Sequence, residues 1–344
     1  MQIMKALVVT LALVLLTGSF TVLAQSEWAV TKTLPIGGEG GWDYLTVDPQ
    51  THRLYVPRST HTMVIEAESG KVIADIPGQK RAHGVAIVPQ AGRGFISDGG
   101  GNGAIVIFDL KTNLVLGSIA AQPDADGIIF DSYSGRVLVV SGDKGLLMSL
   151  KPDIDPRTGT IEPPVELGGK PEFLASDGKG KVYLNLVDKN EVAVVDMKAR
   201  RVTARWPVAP GGAPVGMSID PKRRLLFIGC RKPQKLIVMS ADDGKVLSDL
   251  PIGAGVDATK VDGGQAFASC ADGSLAVVSE KSPAKFEIVQ TVKTPQGART
   301  MGVDPTTHTI YLPTAEFEEA TAGARPRAKP NTFMIVVVSR QRSK

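Results

Sequence analysis

The chain has 344 residues, 39 of them basic and 35 acidic, for a formal net charge of +4. So mild a balance does not by itself imply a nucleic-acid partner. Aromatic residues make up only 5%, whereas there are 37 glycines and 23 prolines, as expected for many short strands joined by tight turns.

The first residues read as a targeting segment. Lys5 supplies a positive start, residues 6–16 are almost unbroken apolar, and Val22-Leu23-Ala24 offers an Ala-x-Ala-like cleavage site. The apolar run is short for a membrane span of about 20 residues. Cleavage after Ala24 is therefore expected, leaving 344 − 24 = 320 residues with charge +3 once Lys5 is gone. No later segment could cross a membrane. The mature protein is expected to be exported: periplasmic in a two-membrane bacterium, otherwise secreted.

Residues 28–36, WAVTKTLPI, come next and have the look of a strand without a local partner. From there a repeat governs the chain. An apolar strand ending in Asp recurs as YLTVD at Asp48, IIFD at Asp131, LASD at Asp177, MSID at Asp220, TKVD at Asp262 and MGVD at Asp304, with VAIV at Val88 filling the gap. Successive spacings are 40, 43, 46, 43, 42 and 42 residues. A strand-built period of this length marks β-propeller blades, and seven anchors predict an all-β, seven-bladed β-propeller. A chain this long would otherwise suggest about two domains. Blades in a ring share one core, so residues 25–344 are expected to form one domain.

The first repeat shows the blade plan: YLTVD as inner strand, LYVP and MVIEAE as second and third, and VIADIP as outer strand, with turns PQTHR and SGK between. The last repeat has no outer strand of its own. Residues 28–36 resemble the outer strands VIADIP and VLSDLPI, so the N-terminal strand is expected to complete the last blade, which would also remove an open sheet edge. His52 and His308 fall at equivalent turns, DPQTHRLYVP and DPTTHTIYLP, and read as exposed turn residues. DGGGNG from Asp98 opens a strand, not a helix, and so reads as a hairpin; the DIDPRTG stretch at Asp153 reads likewise. Cys230 and Cys270 close equivalent strands of neighbouring blades, which splay apart. Two buried free thiols are expected, since a disulfide needs Cα atoms within about 7 Å. Residues 316–332 form the one long insertion, expected as a flexible arm over the top face.

The motifs D-P-x-T-x-x-x-[LI]-Y-[VL], V-x-V-[IV]-D and [ST]-G-K-V-x-x-x-I-P, in register along the mature chain, resemble those of the YVTN-type, YncE-like propeller repeat proteins. The resemblance implies a seven-bladed propeller, usually exported and often of unassigned function. Some relatives are linked to DNA binding and some related propellers are enzymatic domains. No catalytic motif of the family carries over to this sequence.

In a propeller the inner strand begins at the top face and lines the channel. The residue five before each anchor should therefore ring the channel mouth. Those positions are Asp43, His83, Asp126, Glu172, Val215, Asp257 and Arg299, six of them ionisable. Arg58, His61, Asp124 and Arg231 fall in neighbouring top loops. Convergent carboxylates suit a divalent cation, with Asp43, Asp126, Glu172 and Asp257 as candidate ligands, or a polar small molecule with His83 and Arg299 as donors. Crowding should raise at least one carboxylate pKa. There is no Gly-x-Ser-x-Gly elbow, and no catalytic residue is assigned. The leading reading is an exported, monomeric, non-catalytic propeller binding a small polar molecule, metal ion or protein at its channel mouth. Two alternatives remain open: a metal-dependent lactonase-type hydrolase, and nucleic-acid binding through KARR (198–201) and KRR (222–224) on the opposite face.

Overall fold

The computed structural model describes residues 27–319 and 326–341. The expected targeting segment lies outside them, as do residues 320–325 of the insertion. Among the described residues the fold is all-β, with one 3-10 turn at Pro89–Ala91 as the only helical segment. No helix there is long and apolar enough to cross a membrane.

The strands form antiparallel sheets in a propeller-like arrangement. Five sheets have four strands, four of them each built within one repeat and the fifth adding the N-terminal strand to the last repeat. A sixth has seven strands, because the strand Val72–Val88 runs without a break through two repeats. Its first part pairs with Ser59–Glu66 and its second with Arg93–Asp98. First strands of successive repeats touch in order, and Gly302–Asp304 also touches Thr46–Asp48. The strand Trp28–Pro35 pairs antiparallel with Met334–Arg340, placing the N-terminal segment in the sheet of the last repeat.

The recurring Asp has two tasks. Within its repeat it caps the turn: Asp48 accepts from the Gln50 amide at 3.0 Å, Asp177 from Lys179 at 2.8 Å and Asp304 from Thr306 at 2.8 Å. Four residues on, the chain passes through left-handed backbone, with φ of 51° at His52, 57° at Arg224 and 55° at His308. Where that residue carries a long polar side chain, it reaches the anchor of the preceding repeat. His52 lies 3.1 Å from Asp304, Arg224 2.9 Å from Asp177 and His308 2.7 Å from Asp262. The two imidazoles are exposed turn residues, as the sequence suggests, and they also tie sheet to sheet. Burial opposes ionisation of Asp304 and Asp177, but turn amides and these ties outweigh it and hold both carboxyls below their usual range.

Alternating strand residues fill the spaces between sheets. Trp28, for example, packs edge-on against Phe267 of the neighbouring sheet at 4.9 Å. Cys230 and Cys270 are free and buried, and burial pushes both thiols up to about 12, which leaves them unreactive.

Candidate functional site

The start of each inner strand points at one opening. Asp43, His83, Asp126, Glu172, Asp257 and Arg299, drawn from six repeats, line a single bowl of about 590 Å³ together with Asp124 and Arg231. Val215, at the seventh ring position, is fully buried. Two expected top-face residues are elsewhere. Arg58 is buried, 1% exposed, with its guanidinium donating to the carbonyls of Gly37, Gly38, Gly40 and Gly41 at 2.9–3.3 Å and stacked 3.7 Å from the Phe333 ring centroid. It shapes the loop leading to Asp43 and has no group left for a ligand. His61 faces Asp75 at 3.6 Å along the outer strand and does not line the bowl.

Burial and pairing divide the bowl's charges. His83 Nδ1 is 2.7 Å from Asp43 Oδ2 and 3.5 Å from Asp126 Oδ1. Burial alone would lower the imidazole pKa, but the Asp43 hydrogen bond and the two carboxylate charges hold it up to about 9. Asp124 is flanked by Arg81 at 3.0 Å and Lys170 at 3.7 Å. Asp257 is gripped by Arg231 and, at 2.5 Å, by Arg299. Asp126 and Glu172 are held less firmly: Asp126 Oδ1 is buried without a hydrogen bond and faces only the His83 imidazole at 3.5 Å, and Glu172 has no hydrogen bond or ion pair among the described residues. Burial, reinforced by neighbouring carboxylates, raises both pKa values.

Of the four expected metal ligands, only Asp43 and Asp126 come together, with His83 as third member; their ligand atoms lie within 4.8 Å of one another. Asp257 is committed to two arginines, and Glu172 stands outside this group. His83 turns Nδ1 to the two carboxylates, while Nε2 is buried without a partner beside Gly99. A cation would thus have to displace the Nδ1 proton, so the set fits a metal only as the pH rises.

Tyr44 and Phe173, one residue after their ring positions, meet across the opening at 4.7 Å and floor the bowl. Elsewhere this position is small, because adjacent inner strands approach closely: a Cβ at Gly127 would lie 2.8 Å from the Glu172 carbonyl oxygen. Two aromatics where the repeat otherwise reads Gly, Gly, Gly, Ala and Thr were the missed sequence signal. Below the floor a largely apolar channel of about 500 Å³ holds Lys260, whose amine is 5.4 Å from the Phe173 ring centroid and pairs with no carboxylate among the described residues. Burial lowers its pKa. Arg81, Lys170 and Phe317 also line the bowl and were not singled out by register, because none occupies the ring position: Arg81 lies on the strand Val72–Val88 two residues before His83, and Lys170 and Phe317 lie outside the strands. Phe317 belongs to the long insertion, whose described ends pair at Phe317 and Ala328.

On the opposite face, Arg200 pairs with Glu162 at 2.7 Å, Arg223 with Asp220 at 2.7 Å, and Arg224 with Asp177 and Asp242, both at 2.9 Å. Much of that basic charge is thereby neutralised.

His83 gives a pH signature. Its folded pKa lies above the unfolded value, so its contribution is complete below about 6.5 and lost as pH rises through about 9. The His83→Gln variant should show a flatter alkaline limb in thermal unfolding between those values, the wild-type loss being on the order of 3 kcal/mol at most. Parallel limbs in the two proteins would rule out a protonated His83 near neutral pH.

No family model and no curated protein matches the chain. Among solved structures it is similar to Kuenenia stuttgartiensis Hydrazine Synthase, at 12% sequence identity and TM-score 0.67, over 81% of this chain and 92% of that one. At that identity the likeness bears on fold alone, and it agrees with an all-β, propeller-like architecture.

Proposed function

We propose that the chain is an exported seven-bladed β-propeller of the YVTN-type, YncE-like kind, closed by its N-terminal strand, and that its bowl binds a small polar molecule without catalysis. The observation that carries this reading is the meeting of six ionisable side chains from six repeats in one cavity, two of them, Asp126 and Glu172, carboxylates that accept no hydrogen bond among the described residues. Leaving such groups unpaired is costly for a folded protein, and perturbed carboxyls in a concave site are characteristic of ligand recognition. Among the described residues, the bowl's lining contains no serine, threonine or cysteine to serve as a nucleophile.

The test is a thermal-shift screen with amino acids, sugars, organic acids and nucleosides. At about 100 times its Kd a ligand adds about 2.7 kcal/mol, an upward shift of several degrees. The Asp126→Ala/Glu172→Ala variant should lose that shift. A ligand that stabilises both proteins equally binds elsewhere, and the reading then fails.

A second reading is favoured by the closeness of Asp43, His83 and Asp126: a divalent cation held there, the first requirement of a lactonase-type hydrolase. Because a proton competes for His83, Mn²⁺ binding by calorimetry should strengthen from pH 6 to pH 9. Absence of Mn²⁺ binding at both pH values removes this reading.

A further inference from the structure

We propose that the bowl recognises a small zwitterion, an α-amino acid with an apolar side chain, holding its ammonium group at Asp126 and Glu172 and its carboxylate at Arg231 and Arg299. This rests on the bowl being a small-molecule site and adds the chemistry of its occupant.

The argument comes from which polar groups are already satisfied. At the rim, Asp124 is shared by Arg81 and Lys170, and Asp43 is taken by His83. Those groups have little left to offer. On the side built by the third and fourth repeats the balance is anionic. Glu172 has no cation within ion-pair distance among the described residues, and Asp126 has only His83 at 3.5 Å, with Oδ1 buried and without a hydrogen bond. An ammonium group brings three donors and one positive charge, which two acceptor-only carboxylates require.

On the side built by the fifth to seventh repeats the balance reverses. One carboxylate, Asp257, serves two guanidinium groups: Oδ1 accepts from Arg231 Nη2, and Oδ2 accepts from Arg299 Nε at 2.5 Å. Arg231 Nε goes to the Val256 carbonyl at 3.1 Å. Arg231 Nη1 and both terminal nitrogens of Arg299 have no acceptor among the described residues. One uncompensated positive charge with free, fork-shaped donors suits a carboxylate.

The two poles line the same bowl, and the charges of Asp257 and Arg231 reach Glu172. A ligand whose opposite charges are separated by one or two carbons satisfies both. A diamine or a dicarboxylate would set a like charge against one pole, and such mismatches are how a site rejects competitors. Between and below the poles lie the Tyr44 and Phe173 rings, with Phe317 at the rim. They offer apolar surface for a side chain rather than a further charge.

Calorimetry on the full protein tests this with three probes: L-leucine, leucinamide, which keeps only the ammonium group, and 4-methylpentanoate, which keeps only the carboxylate. L-Leucine should bind, and each analogue should bind at least about tenfold more weakly. In Glu172→Gln, 4-methylpentanoate should approach L-leucine in affinity. In Arg231→Gln, leucinamide should do so instead. This crossed pattern distinguishes lost recognition from misfolding, which would weaken all three probes alike. Equal binding of L-leucine and either analogue to the wild type overturns the proposal. So does absence of binding by L-leucine, L-phenylalanine and L-valine at about 5 mM. The broader reading of the bowl then stands if another polar molecule binds and Asp126→Ala/Glu172→Ala abolishes it, and falls if that variant binds unchanged.

Discussion

Removing residues 27–36 is expected to leave a protein that aggregates, or unfolds far below the temperature of the intact chain. The strand Trp28–Pro35 supplies the outer edge of the last sheet, pairing along its length with Met334–Arg340. Without it, Met334–Arg340 becomes an apolar edge open to other chains. The strand also brings side chains that join two sheets. Trp28 is buried against Phe267, its indole N–H donates to Gln265 Oε1 at 2.9 Å, and its backbone N–H donates to Gln290 Oε1 at 2.9 Å. Leu34 is buried among Leu54, Ile65 and Phe333. Truncating Trp28 alone should cost about 3–5 kcal/mol. At about 2–4 °C per kcal/mol for a large domain, Trp28→Ala should lower Tm by roughly 6–20 °C. This point variant keeps the test meaningful if the deletion cannot be purified. A Trp28→Ala protein unfolding within a degree or two of wild type would mean that the N-terminal strand does not hold the sheet of the last repeat together.

The pairing of the N-terminal strand with the last repeat was legible because that repeat visibly lacks a fourth strand and the first residues visibly have one to spare. The same register brought Asp43, His83, Asp126, Glu172, Asp257 and Arg299 to one opening, since a period fixes which face and which end of a strand each position occupies. Register says nothing about how long side chains fold back. Arg58 sits in a top loop by sequence, yet the carbonyls of the glycine-rich loop at residues 37–41 consume it. His61 lies on the alternating strand face that meets Asp75. Nor could register show that Asp257 would be claimed by two arginines while Glu172 is left alone. That depends on how the side chains of Arg231, at the end of the strand Leu225–Arg231, and Arg299, in a loop, fold over the opening, which no periodicity encodes. The floor made by Tyr44 and Phe173 was readable in principle, as two large rings at a position otherwise kept small by close strand approach.

The different pairing of these carboxylates leads to opposite expected responses. Asp257→Ala should destabilise the protein, because it leaves Arg231 and Arg299 facing each other without their shared counter-ion. Breaking a buried pair from one side costs about 3–5 kcal/mol. Both guanidinium groups are about 40% exposed, so water screens part of this and about 1–3 kcal/mol is expected. Asp126→Ala/Glu172→Ala should instead leave Tm unchanged or raise it, since burial and mutual repulsion already oppose ionisation of both groups. The pH dependence follows the same logic. Folded pKa values above the unfolded ones mean that the native state keeps protons the unfolded chain has released. Stability therefore falls as pH rises from the ordinary carboxylate range through the raised values. Wild type should gain stability on mild acidification from neutral pH, and the double variant should lose that part of the gain while retaining only the share of the His83 part that Asp43 supports. Thermal unfolding of the three proteins between pH 5 and pH 9 decides the matter. A double variant less stable than Asp257→Ala at neutral pH, or one with an unaltered response to acid, would mean that Asp126 and Glu172 hold the bowl together and are not free to meet a ligand.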